Sequence, residues 1–147
     1  MDNVQTAGDP YRLERFVTAQ DAGGTYGRAL GEIRAGRKQS HWMWFVFPQI
    51  QGLGSSATAR EYAISSLAEA QAYLAHPVLG PRLLDCAAAA TALPGHSAEA
   101  VFGGIDARKL HSSATLFHRA APGEPVFTDL LAKYFDSVPD AGTDERL

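Results

Sequence analysis

The sequence predicts an all-α fold: a single compact domain of about seven helices in an orthogonal bundle, over residues 1–147, with an ordered core at about 9–138 and a polar C-terminal tail. Three observations predict it. Residues that start and stop helices recur along the chain: Ser, Thr or Asp at N-caps, Pro in first turns, Gly at C-termini. Between them, apolar residues repeat at helical spacing. No two neighbouring runs show the alternation that a pair of strands needs. A chain of 147 residues, 46% of them hydrophobic, is also long enough to bury one core of its own.

Taken in order, Asp9 and Pro10 suit the N-cap and first position of a helix to about Gln20, with Leu13, Phe16 and Val17 on one face. Gly23 and Gly24 break it. Thr25 caps a second helix, in which Tyr26, Ala29, Leu30 and Ile33 repeat until Gly36 stops it beside a basic corner of Arg34, Arg37 and Lys38. The segment SHWMWFVFPQ, Ser40 to Gln49, is apolar on every side and fits either a buried strand or a short buried helix. Ser40 as a cap, Pro48 as a terminator and the lack of a partner strand favour the helix. GLGSS then reads as a tight loop. Ser56 or Thr58 starts a helix through Ile64, and Ser66-Leu67-Ala68-Glu69 is a capping box opening another that ends before Pro77.

Gly80-Pro81 begins an alanine-rich helix through Leu93, whose small side chains permit close helix contacts. Ser97 caps a short turn at Val101 and Phe102, and Asp106 is placed to cap a helix carrying Leu110, Ala114 and Phe117. The last helix runs from about Pro125 to Phe135, with Val126, Leu130, Leu131 and Tyr134 on its apolar face, and the polar tail follows Pro139.

The net charge of -3 and pI near 5.9 argue against nucleic acid as a general partner, because affinity for a phosphate backbone comes from a Lys/Arg excess. A local basic patch stays open. One cysteine, Cys86, allows neither an intramolecular disulfide nor a thiolate-rich zinc site, which suits a cytoplasmic protein. The longest apolar run, Trp42 to Phe47, is far short of the ~20 residues that cross a bilayer, so no membrane association is expected.

The densest chemistry lies between Lys38 and Ser56, which hold a basic residue, His41, Trp42, Trp44, Gln49 and the Gly/Ser loop. Aromatic walls exclude water and stack planar ligands while a few polar groups orient them. The competing reading makes these aromatics core and His41 a structural imidazole. Gly52 to Ala57 matches the dinucleotide-binding glycine pattern with alanine in the last place, but that pattern works only between the strand and helix of a βαβ unit. What survives is an anion held by free N–H groups and the Ser55 and Ser56 hydroxyls at a helix start, with Lys38 or Arg60 as counter-charge, against an ordinary turn and N-cap. Downstream, Asp106, Lys109 and Ser113 fall near one helical face, either as a polar site or as a cap, an exposed lysine and a back-bonded serine. His111 and His118 lack the further ligands a metal needs, so no metal is expected. No nucleophile elbow, Walker loop or kinase signature appears, no cofactor is implied, and Cys86 reads as a buried, inert thiol.

RFVTAQ, HWMWFVFPQIQGLGSS, EAQAYLAHPVLGPRL, FGGIDARKLHSSATLF and a closing KYF occur in the order seen in a known group. From about Tyr11 to Thr143 the chain resembles the bacterial domain of unknown function family 1810, sometimes mislabelled calpastatin. The calpastatin label does not fit, because inhibitory segments of that protein are disordered whereas this composition is globular. The resemblance implies an all-helical single domain and supplies no established activity. Its motif positions here are Arg15, Phe16, Gln20, Tyr26, Lys38, His41, Trp42, Trp44, Phe47, Pro48, Gln49, Gly52, Gly54, Ser56, Tyr62, Asp106, Lys109, Ser113 and Thr115. The chain departs from the pattern at Ala114, where methionine is usual, and at Asp144, where an apolar residue is expected.

Two functions follow as expectations. In the first, the HWMWFVFPQ segment and the GLGSS loop meet the DARKLHSS helix around a site for a nucleotide-like or phosphate-bearing small molecule. There Lys38 and Lys109 hold the anion, Trp42 or Trp44 stacks a planar group, and Gln49, Gly52, Gly54, Ser55, Ser56 and Ser113 complete the site. If the protein is an enzyme, His41 or Asp106 is the general acid/base. In the second, the chain is a non-catalytic protein–protein interaction module. Convergence of Lys38, His41, Gln49, Asp106 and Lys109 on one concavity favours the first, and scattering favours the second.

Overall fold

Asp9 organises the first helix through a wider turn than Asp9-Pro10 predicts. Its Oδ1 accepts from the Leu13 N–H at 2.7 Å and its Oδ2 from the Glu14 N–H at 3.0 Å, while Arg12 turns the chain at φ +53°. Helix α1 therefore begins only at Glu14 (Glu14–Asp21). The computed structural model describes residues 8–147; positions 1–7 of the predicted 1–147 unit lie outside the described residues.

Gly23 and Gly24, both at positive φ, carry the chain through a 3-10 turn into α2 (Thr25–Arg34), where Thr25 is the first helical residue rather than the cap. Next come α3 (Met43–Val46), α4 (Ala57–Glu61), α5 (Leu67–Ala75) and α6 (Leu79–Ala92). They are followed by α7 (Ala98–Phe102), α8 (Gly104–Ala120), α9 (Pro125–Phe135) and α10 (Ala141–Asp144). The fold is all-α, with no strand among the described residues, and its helical segments are more numerous and shorter than the seven expected.

Local chemistry explains the departures. The apolar Ser40–Gln49 segment forms only one helical turn, α3, and Ser40 does not cap it, because its N–H and hydroxyl are both given to Glu32. The helix begun by Ser56 stops at Glu61 rather than Ile64, because Ile64 pairs with Ile50 in an isolated parallel bridge. Its bonds are Ile64 N–H to the Gln49 carbonyl and Gln51 N–H to the Ile64 carbonyl, both 2.8 Å. Ser66 caps α5 as read, but Glu69 reaches back to Ser65 instead of closing the box on Ser66. Ser97 caps α7 and Pro125 opens α9 as expected.

Helix α8 runs through the middle, packing against α5, α7, α9 and α10, and α6 lies against α2, α5 and α9. Trp42, Tyr73, Phe16, Phe47, Phe117 and Phe127 are fully buried, each contributing about 1.5–3 kcal/mol by leaving water. The α6 cysteine, Cys86, is buried against Tyr26; burial pushes the thiol up to about 12 despite the hydrogen bond between them.

A cation locks the N-terminal part to this core. Arg15 donates from Nε to the Glu61 carbonyl, from Nη1 to the Tyr11 and Arg12 carbonyls, and from Nη2 to the Ala63 carbonyl and the Glu69 carboxylate. The other Glu69 oxygen accepts from the Ser65 N–H and hydroxyl. Gln20 likewise donates to the Phe45 carbonyl and accepts from Arg82.

The segment beyond Pro139 is polar, as read, yet docked. Asp140 caps α10 and donates its N–H to the Thr115 hydroxyl, Thr143 is buried, and Asp144 takes a two-pronged contact from Arg119 with both bonds at 2.9 Å. The Arg119 hydrogen bond holds the Asp144 carboxyl below its ordinary range.

Candidate functional site

The site begins with a residue that is not in it. Glu32, on α2, accepts from the Gln39 N–H (2.8 Å), the Ser40 N–H (3.0 Å), the Ser40 hydroxyl (2.6 Å) and the Trp42 indole (2.8 Å). Burial works to raise its pKa, but these four donors outweigh it and hold the carboxyl at about 2. One carboxylate thus folds the chain from Gln39 to Trp42 back on α2.

That turn, joined to α7 by the Lys38 N–H to the Val101 carbonyl (2.7 Å), presents the Lys38 side chain to α8. Lys38 Nζ lies 2.8 Å from Asp106 Oδ2 and 4.9 Å from the centre of the Trp42 ring. Lys109 approaches the other Asp106 oxygen at 3.6 Å and stands 4.7 Å over the Trp44 ring. Asp106 therefore does not cap α8. The cap position is Gly103, at φ +83° and ψ 161°, a conformation that suits glycine, and the first intrahelical bond is Ala107 N–H to the Gly103 carbonyl. The N–H groups of Gly104, Ile105 and Asp106 precede it. Lys38, His41, Trp44, Asp106 and Lys109 share the wall of an open groove of about 370 Å³. His41 is exposed on it.

Trp44 also lines a second cavity, of about 400 Å³, together with Gln49, Gly52, Gly54, Arg60 and Tyr62. Four of the five residues proposed to converge, Lys38, His41, Asp106 and Lys109, therefore meet in one groove, and Gln49 stands on the far side of Trp44, donating to the Ser112 hydroxyl at 2.7 Å.

Other expected site residues are placed differently. Trp42 has no exposed surface, so it forms the floor beneath Lys38 and no ligand stacks on it. Ser113 is buried, with its hydroxyl unpartnered among the described residues, and lines neither cavity. Ser56 serves as the N-cap of α4, its hydroxyl oxygen accepting from the Ala59 N–H, and α4 is five residues long, too brief to focus much dipole on an anion. Ser55 is exposed and lines neither cavity. The two glycines are explained by packing: a Cβ on Gly54 would lie 2.6 Å from the Ala59 Cβ, and one on Gly52, at φ +95°, would lie 2.8 Å from the Arg146 Nε. Among the described residues no group of three or more His, Cys, Asp or Glu side chains is placed to hold a metal ion, and no helix is long and apolar enough to cross a membrane.

A family model described as "Protein of unknown function (DUF1810)" matches residues 10–147. The chain belongs to the DUF1810 family. The crystal structure of the conserved hypothetical protein Rv1873 from Mycobacterium tuberculosis is similar to this DUF1810 chain: 52% identity, a TM-score of 0.91, 95% of this chain and 98% of that one covered. A search of the curated proteins gave no match.

Sequence reasoning missed Glu32, which builds the DUF1810 groove without lining it. No local spacing rule ties it to Ser40 or Trp42. A signal was present all the same: the turn after Gly36 carries N–H groups in need of an acceptor, and Glu32 is the nearest acidic side chain upstream.

Proposed function

We propose that this chain binds a small phosphate-bearing, nucleotide-like molecule in the groove between Trp44 and the start of α8. The observation that carries this reading is the imbalance of charge there: two ammonium groups, on Lys38 and Lys109, share the single carboxylate of Asp106. The residual positive charge stands beside three N–H groups at the start of a 17-residue helix, whose dipole adds to the attraction for an anion. Trp44, half-buried, supplies an aromatic wall for a planar ring. Should turnover accompany binding, His41 is the group exposed on the groove and able to move a proton, whereas Asp106 serves better as the brace that positions both lysines.

A non-catalytic interaction module is the second reading, and Ile105 favours it: this side chain is 74% exposed and lies on the groove wall. Thermal denaturation against nucleotides, NAD, ADP-ribose and sugar phosphates separates the two. A ligand at about 100 times its Kd adds about 2.7 kcal/mol of stability, and that shift is expected to vanish in Lys109→Ala and weaken in His41→Ala. If no compound raises Tm, the nucleotide reading is lost and the interaction module takes its place.

A further inference from the structure

Resting on that reading, we infer that the ligand site continues past Trp44 into the second cavity, and that the ligand carries a second anionic group there, held by Arg60. The two cavities share Trp44 as a common wall, and each is of the size that holds a mononucleotide-scale molecule or a part of a larger one.

The second cavity has a built floor and a set of free donors. Its two sides, Gln49 to Gln51 and Tyr62 to Ile64, are tied by the Ile50–Ile64 bridge, and both isoleucines are buried beneath it. Gly54 is pressed against Ala59, so no side chain fills the space from that edge. Tyr62 is fixed from behind by edge packing on Phe45 and a tilted contact with Phe16.

On this rigid frame the Arg60 guanidinium, the Tyr62 hydroxyl and the Trp44 indole N–H form no hydrogen bond or ion pair among the described residues. The contrast with Arg15, Arg82 and Arg119 is direct, since each of those is spent on a carboxylate or a carbonyl. Gln49 donates its amide to Ser112 and so keeps its carbonyl open as an acceptor. Three residues that carry donors, one of them a permanently charged arginine, and one acceptor line a polar cavity and match a phosphate or carboxylate attached to a hydroxyl-bearing unit. Arginine suits that group because its planar fork engages two oxygens at once. A planar ring against Trp44 then has one anionic group on the lysine side and another on the Arg60 side.

Calorimetric titration of the full chain with adenosine 5′-monophosphate and adenosine 3′,5′-bisphosphate tests this, using the native chain, Arg60→Ala, Tyr62→Phe and Lys109→Ala. Arg60 is exposed on a short surface helix, and unchanged melting of the unliganded variant checks that its removal leaves the fold intact. The bisphosphate is expected to bind the native chain roughly tenfold tighter than the monophosphate, the scale of one added charge-assisted contact. Arg60→Ala should erase that advantage and leave monophosphate affinity as it was, Tyr62→Phe should reduce the advantage, and Lys109→Ala should abolish detectable binding of both ligands. Equal affinities in the native chain, or an advantage that survives Arg60→Ala, overturn the inference while leaving the lysine groove standing. Failure of both ligands to bind overturns the inference, and the groove falls with it when no compound of the thermal panel raises Tm.

Discussion

Arg15 and Lys38 each bring a cation to a carboxylate on a later helix, Glu69 and Asp106, and the two pairs differ in how much bonding capacity is spent. Around Arg15 every guanidinium nitrogen has an oxygen, and both Glu69 oxygens are filled by Arg15 and Ser65. The side chains are 11% and 3% exposed, so water takes almost no part. Around Asp106 one carboxylate serves two ammonium groups, Lys109 reaches only 3.6 Å, and the whole arrangement opens on a groove. Arg15, Lys38, Asp106 and Lys109 all stand at motif positions in the sequence. Saturation tells them apart: a closed network stabilises, and an incomplete one retains attraction for something else.

The largest effect should come from breaking the closed cluster. Arg15→Met leaves Glu69 charged and buried, and is expected to cost about 3–5 kcal/mol in urea denaturation. Recovery of native stability in that variant would show that the Arg15 network is no brace.

Glu32→Gln comes next. It weakens four hydrogen bonds and should cost about 2–3 kcal/mol at neutral pH. Because the folded-state pKa of Glu32, about 2, lies below its ordinary 4.5, its contribution is complete above pH 4.5 and is lost as pH falls from there towards 2. The stability gap between the native chain and Glu32→Gln should therefore narrow across that window, and a gap independent of pH would count against the cause assigned to the shift.

The open cluster should respond the other way round. Asp106→Asn is expected to lower stability by about 1–3 kcal/mol, since mostly buried Lys38 loses its counter-charge, yet to tighten nucleotide binding by releasing both ammonium groups. Weaker binding in that variant would mean that holding both lysines in place matters more to the ligand than the positive charge Asp106 neutralises. The smallest effect on the fold belongs to Lys109→Ala: below about 1 kcal/mol by thermal melting, with ligand-induced stabilisation abolished.

These contrasts also mark what the sequence made legible. Punctuation placed α9 at Pro125–Phe135 and α5 at Leu67–Ala75, because Pro125, Ser66 and Pro77 act on their immediate neighbours. It misjudged Asp106 and Ser40, whose type suits a cap but whose partners, Lys38 and Glu32, come from other elements. The site was half legible for the same reason. Lys38, His41, Asp106 and Lys109 stand out by residue type and do meet, whereas the choice between Trp42 and Trp44 turns on which indole the Glu32 turn buries. Spacing along the chain carries no information about that.

The buried cysteine has a practical corollary. With its thiol pushed up to about 12 by burial, Cys86 offers almost no thiolate at neutral pH while α6 stays closed. As the one cysteine of the chain, it makes alkylation a clock for the opening of α6: each modified molecule records one excursion in which that helix left its neighbours. The protein thus carries its own reporter of native-state breathing, with no label to be engineered.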